Sequence, residues 1–117
     1  MIVLKRAYEE PSSNDGYRIL VDRLWPRGLT KEAVNKNLWL RDIGPSTELR
    51  KWFGHDPAKW QEFKKKYIEE LKEKQDLVNV IIDQAKETKV TLIYGAKDEK
   101  HNEAQVILDY IKNLKKK

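Results

Sequence analysis

Tyr17-Arg18-Ile19-Leu20-Val21-Asp22-Arg23-Leu24-Trp25-Pro26-Arg27-Gly28 joins two contrasting kinds of chain. Its first half carries Ile19, Leu20 and Val21 in series, the pattern of a strand covered on both faces. Such strands belong to parallel sheets wrapped by helices, so this stretch decides the fold. The apolar run predicts a strand from Tyr17 to Leu24. Its second half packs Asp22, Arg23, Trp25 and Arg27 into a loop punctuated by Pro26 and Gly28. Pro26 restricts Trp25 to extended geometry.

On either side, strand and helix signals alternate. Ile2-Val3-Leu4 predicts a short buried strand, and residues 9–16 a polar loop broken by Pro11 and Gly16. Thr30 is placed to cap a short helix running to about Asn35. Asn37 to Ile43 is a third strand candidate. Ser46 or Thr47 caps a helix that Gly54 stops, with Glu48 in its first turn. Asp56 caps the next, with Pro57 at its first position. Trp60, Phe63, Tyr67, Ile68 and Leu71 give that helix an apolar face to about Lys74. After a break near Asp76, Leu77, Val80, Ile81, Gln84 and Ala85 continue the helical spacing. Val90 to Tyr94 is the fourth strand, and Ala104, Ile107, Leu108, Ile111 and Leu114 line a final helix. The alternation predicts an α/β fold with a mainly parallel sheet of about four strands.

A chain of 117 residues is expected to form one domain, residues 1–117, with a core of its own. The absence of cysteine excludes disulfides, thiolate metal sites and a cysteine nucleophile. The net charge of +5 owes three units to the terminal Lys115, Lys116 and Lys117, which read as a solvated tail. Met1-Ile2-Val3-Leu4-Lys5 is too short for a signal sequence, and no apolar stretch approaches a membrane span. A soluble, cytoplasmic protein is the expectation.

Ligands of parallel α/β sheets bind beyond the carboxyl ends of the strands. Three segments fall there: Asp22–Gly28, Gly44–Arg50 and Gly95–Asn102. Together they carry Arg23, Arg27, Arg50, Lys97 and His101, with Ser46 at a helix start. The arginine fork binds phosphate and carboxylate bidentately, and a helix start adds N–H donors. Arg50 sits in a first turn, where a cation opposes the helix dipole unless an anion intervenes. Arg23, Arg27, Arg50 and Ser46 are therefore candidate anion ligands. Trp25 or Trp52 is a candidate wall, and Tyr94 and Lys97 are candidates at the same rim. Asp22 and His101 are the candidate proton-transfer groups.

Each feature has a structural alternative. Asp22 with Arg23 and Arg27 also reads as a salt-bridge network fixing the loop. Arg50 has Glu48, Asp42 and Asp56 as possible partners. His55 fits a staple against Trp60. Trp39 and Trp60 occupy core-like positions. There is no credible zinc constellation, no glycine-rich phosphate loop and no nucleophile elbow. No cofactor is named by any motif.

"GYRILVDRLWPRG" (residues 16–28), "PSTELRKWFGHDP" (45–57) and "TLIYGAKDEKHNEAQVILDYI" (91–111) resemble the YeaO-like branch of a bacterial domain-of-unknown-function family, domain of unknown function 488. The similarity runs in order along nearly the whole chain. It implies a compact three-layer α/β domain and carries no activity with it. The matching positions are Asp22 to Gly28, Pro45, Ser46, Leu49, Arg50, Phe53, His55, Tyr94, Ala96, Lys97 and Asn102. Other branches carry cysteines after the last strand. This chain has none, so thiol chemistry does not transfer.

The favoured expectation is a pocket for a small anionic ligand, with or without catalysis. Nucleic-acid binding is the alternative, and it ranks lower because the lysines of residues 62–74 alternate with acids. An interaction module without chemistry is the third reading, and the sequence leaves the oligomeric state open.

Overall fold

The computed structural model describes residues 1–115; Lys116 and Lys117 of the lysine tail lie outside the described residues. Four strands, β1 (Ile2–Arg6), β2 (Tyr17–Leu20), β3 (Leu38–Trp39) and β4 (Val90–Tyr94), form one sheet in the order β1-β4-β2-β3. Every pairing is parallel. The fold is α/β, as the alternation of strand and helix signals predicts.

The two long-range neighbours β4 and β2 form the centre. All five residues of β4 are buried, as are Arg18, Ile19 and Leu20 of β2. Ile19, Val21, Val90, Leu92 and Tyr94 meet the main core on one face. That core is completed by α2 (Thr47–Phe53), α3 (Trp60–Lys72), α4 (Gln75–Glu87) and α5 (Glu103–Lys115). Leu20 and Ile93 point the other way, to Val34 of α1 (Lys31–Val34) and to Trp25, Leu29 and Trp39. The outer layers are thus unequal: four helices cover one face, and one helical turn plus the loop after β2 cover the other. Each fully buried Leu or Ile contributes about 1.5–3 kcal/mol of transfer free energy, which anchors the central strands.

The caps follow the sequence. Thr30 Oγ1 accepts from the Ala33 N–H at 3.1 Å, and Asp56 accepts from the Ala58 N–H at 3.0 Å. Gly54 ends α2 at φ 52°, a left-handed conformation that glycine adopts freely. The segment headed by Pro57 begins as a 3-10 turn, Pro57–Lys59, before α3 takes over. The interruption after α3 lies at Glu73 and Lys74, slightly earlier than Asp76. On α4 the buried residues are Val78 and Ile81, while Val80 is 39 % exposed.

Two strands are shorter than their apolar patterns predict. β2 stops at Leu20, with Val21 N–H still donating to Ile93 O at 3.1 Å. β3 is two residues long, because Leu40 turns out of the extended region at ψ 63° into a 3-10 turn, Arg41–Ile43. That turn buries Ile43, whose carbonyl accepts from Tyr67 Oη at 2.6 Å. Apolar residues 40 and 43 therefore serve the core from a turn rather than from a strand.

At the opposite end of the sheet, Arg18 is 3 % exposed and fully engaged. Its guanidinium bonds Asp15, and it donates to Asn35 O at 2.8 Å and Val34 O at 2.7 Å. Lys5 Nζ completes the group, 3.1 Å from Asp15. Burial works against the Asp15 carboxylate, but the Ser12 N–H, Lys5 and Arg18 bring it below the usual carboxylate range. This network ties α1 and the polar loop to the sheet.

Candidate functional site

A cavity of about 240 Å³ opens beyond the carboxyl ends of the strands. The loop after β2 supplies Asp22, Arg23, Trp25 and Arg27 to its wall. Arg50 and Phe53 come from α2, Phe63 from α3 and Gly95 from the residue after β4. His101 and Glu103 reach it from the entrance of α5. The Asp22–Gly28 stretch is there because the loop is strapped in place. Trp39 Nε1 donates to Asp22 O at 2.7 Å, and Trp25 Nε1 donates to Leu29 O at 2.7 Å. The two indoles meet edge to face with centroids 5.4 Å apart. Tyr8 Oη donates to Arg27 O at 2.8 Å and fastens the outer end.

Asp22 makes no ion pair with Arg23 or Arg27 among the described residues; its side chain accepts from Gly95, and Glu103 lines the cavity with it. Gly95 N–H donates to Asp22 Oδ2 at 2.8 Å. A Cβ at Gly95 would stand 2.9 Å from that oxygen, so a larger residue there would push the Asp22 carboxyl aside. Oδ1 is buried and receives no hydrogen bond from any described donor. Burial, then the charge of Glu103 and a hydrogen bond to it, push the Asp22 carboxyl up to about 10, against the pull of the Gly95 N–H.

The three arginines have different fates. Arg23 lines the cavity but is committed to the chain: Nε donates to Pro45 O at 2.9 Å and Nη2 to Gly44 O at 3.0 Å. Its Nη1 lies 3.9 Å from the largely exposed Asp42. Lys74 Nζ donates to the same Gly44 carbonyl at 2.9 Å; burial first, and then Arg23, hold that ammonium below its usual range. Arg27 is exposed at the cavity, with no ion pair among the described residues. Arg50 likewise makes no ion pair with Glu48, Asp42 or Asp56, and its Nε is buried without a partner.

Ser46, Tyr94 and Lys97 fall outside the cavity wall. The Ser46 N–H and Oγ both donate to Glu70, so the start of α2 already holds a carboxylate of the chain itself. Tyr94 is buried at the end of β4, and Lys97 is exposed. Trp52 is also outside the wall, with Lys66 Nζ 4.1 Å and Lys59 Nζ 5.1 Å from its ring centre. His101 does line the cavity; its Nδ1 sits 2.8 Å from Asp98 Oδ2, and its ring packs edge-on to Trp60 at 5.1 Å. His55 stands against Phe53 at 6.2 Å rather than stapling Trp60. Asn102 is buried and caps α5, its Oδ1 accepting from Gln105 N–H at 2.9 Å.

Glu103 is the site residue that the sequence reading missed. A carboxylate in a first helical turn suits the dipole and attracts no attention. The readable signal was its position: Glu103 precedes Ile107 by four residues, at the head of the apolar stripe of α5. Among the described residues, no group of three or more His, Asp or Glu is placed to hold a metal ion.

The profile of the family described as "Inactive DUF488-N3 subclade" matches residues 1–117. This chain belongs to that DUF488 subclade. Within the wider family, it is 41% identical over 113 residues to the uncharacterized protein YeaO of Escherichia coli K12, covering 97% of this chain and 98% of the relative. It is also 46% identical over 66 residues to Rv3073c of Mycobacterium tuberculosis H37Rv and Mb3100c of Mycobacterium bovis, covering 56% of each chain. No solved structure matches this DUF488 chain. The family also accounts for the resemblance carried by the three sequence stretches, all of which contribute to the cavity.

Proposed function

We propose that this protein binds a small anionic ligand, a carboxylate or phosphate, in the cavity at the strand ends. The observation that carries the reading is Arg50: a guanidinium at the cavity wall, its buried Nε without a partner. A buried unpaired donor is costly, and a carboxylate or phosphate oxygen relieves it. Arg27 stands exposed at the same cavity as a second cation, and Trp25, Phe53 and Phe63 supply apolar wall. At about 240 Å³ the space lies just under the roughly 300–1,000 Å³ of drug-sized sites, so the ligand is small. Relative to the sequence expectation, the anion ligands narrow to Arg50 and Arg27, because Arg23 and Ser46 are spent on Gly44, Pro45 and Glu70. The word "inactive" in the subclade's description favours binding without turnover, which makes Asp22 and His101 binding groups. Nucleic acid is disfavoured because Lys64, Lys66 and Lys72 on α3 are paired with Asp109, Glu62 and Glu69.

The test is a thermal-shift titration with inorganic phosphate and small carboxylates on the native chain, Arg50→Lys and Arg50→Met. Saturable stabilisation that is kept in part by Lys and abolished by Met is the expected result. Equal shifts in the native chain and Arg50→Met overturn the reading.

A further inference from the structure

Among the described residues, two buried side-chain polar atoms lack a hydrogen-bond partner: Arg50 Nε and Asp22 Oδ1. Both belong to residues that line the same cavity, and they are of opposite kind. One is a guanidinium donor without an acceptor, and the other is a carboxyl oxygen without a partner. Buried polar groups are nearly always paired, so two complementary orphans at one cavity describe what the missing partner must present.

The acceptor side is more than one atom. Glu103 lies against Asp22 and lines the cavity with it. Asp22 Oδ2 is taken by the Gly95 N–H, so Oδ1 and the Glu103 carboxyl remain. A ligand that were only an anion would share the cavity with this acid pair. A ligand that also brings a cation would neutralise it.

We propose that the ligand is a small zwitterion, whose acid group meets Arg50 and whose protonated amino group lies against Asp22 and Glu103. This rests on the anion-binding reading above and names the ligand's second end. An ammonium supplies up to three N–H donors, enough for Asp22 Oδ1 and the Glu103 oxygens together. The other ionisable groups lining the cavity are Tyr8, Arg23, Arg27, Arg50, His55 and His101. Arg23 is held by the Gly44 and Pro45 carbonyls and His101 by Asp98, so neither replaces the ligand's cation. Tyr67 on α3 stays neutral, its phenol raised by burial and by Glu103, Glu70 and Asp22.

The experiment compares matched probes by calorimetry at neutral pH. Glycine, β-alanine and 4-aminobutyrate are set against acetate, propionate and butyrate, and 2-aminoethyl phosphate against ethyl phosphate. 3-Hydroxypropionate serves as the uncharged-donor control. At least one amino probe is expected to bind tenfold or more tightly than its amino-free twin and than the hydroxyl control. That preference should collapse in Glu103→Gln and in Asp22→Asn, which keep the shape of both side chains. The native-chain comparison alone decides if either variant fails to fold. Twins of equal affinity, or a hydroxyl probe as good as the amine, overturn the zwitterion while leaving Arg50-dependent anion binding intact. No binding by any probe overturns both.

Discussion

Glu70 accepts two hydrogen bonds from Ser46, one from its backbone N–H at 2.8 Å and one from its hydroxyl at 2.6 Å. An acid of α3 thereby occupies the start of α2, the place where a ligand anion is the sequence expectation. The contact welds two helices together across 24 positions of chain. Glu70→Ala should cost about 1–3 kcal/mol, since it strands the Ser46 N–H. Ser46→Ala should cost about 1 kcal/mol through the lost cap. Urea denaturation of both and of the double variant checks this. The effects should fall short of additive, because the two changes remove one shared contact.

Arg23 and Arg50 are neighbours at one cavity with opposite duties. Arg23→Ala should destabilise by about 2 kcal/mol, because it breaks charge-assisted bonds to two carbonyls. Arg50→Met should change stability of the free protein by less than about 1 kcal/mol, since it deletes an unpaired donor and keeps the stem. Chemical denaturation in phosphate-free buffer measures both. A loss at Arg50 as large as at Arg23 would reassign Arg50 to the scaffold.

Asp22 gives the stability of the protein a pH signature. Its pKa is raised from 3.8 to about 10 in the folded chain, so the fold retains a proton that the unfolded chain gives up. This contribution is complete below about pH 4 and is withdrawn as the pH climbs toward 10. Asp22→Asn keeps an acceptor for Gly95 and offers Glu103 a permanent N–H. The variant's advantage in denaturation midpoint should therefore widen steadily from pH 5 to pH 9. Parallel profiles for the two proteins would show that Asp22 takes up no extra proton on folding.

The Lys5–Asp15–Arg18 network acts with the reverse sign. Asp15 is held below its usual range, so its contribution is present above the unfolded pKa and fades as the pH falls through the folded one. Asp15→Asn should be clearly destabilised at pH 7 and close on the native chain in acid. Arg18→Met, which leaves Asp15 and two carbonyls without their donor, should cost about 3–5 kcal/mol. Guanidinium melts at pH 7 and pH 3 separate these outcomes.

What the sequence made legible was local. Apolar runs place β1, β2 and β4, and Thr30, Ser46, Gly54 and Asp56 mark helix ends because capping acts over three or four residues. Asp22, Arg27 and Arg50 could be gathered at the strand ends by topology alone. Partnerships were not legible. Glu70 reaches Ser46, and Glu103 reaches Asp22, only after helices distant in sequence have packed. Arg23 illustrates the same limit, since carbonyl oxygens that consume a guanidinium leave no trace in residue types. β3 shortened because Leu40 and Ile43 reach the core equally well from a turn.

The strand order has a consequence for how the protein is made. β1 and β2 never touch as strands; each is zipped to β4, with Ile2 opposite Val90 and Tyr17 opposite Val90 as well. A ribosome delivers β1 and β2 long before β4 emerges, so until then β1 has no strand partner and β2 has only the two-residue β3. Sheet closure and the wall at Gly95 and Glu103 then arrive together. The pocket is therefore completed only once β4 and the head of α5 have been made, and chains that stall before residue 90 expose the edges of β1 and β2 that β4 covers.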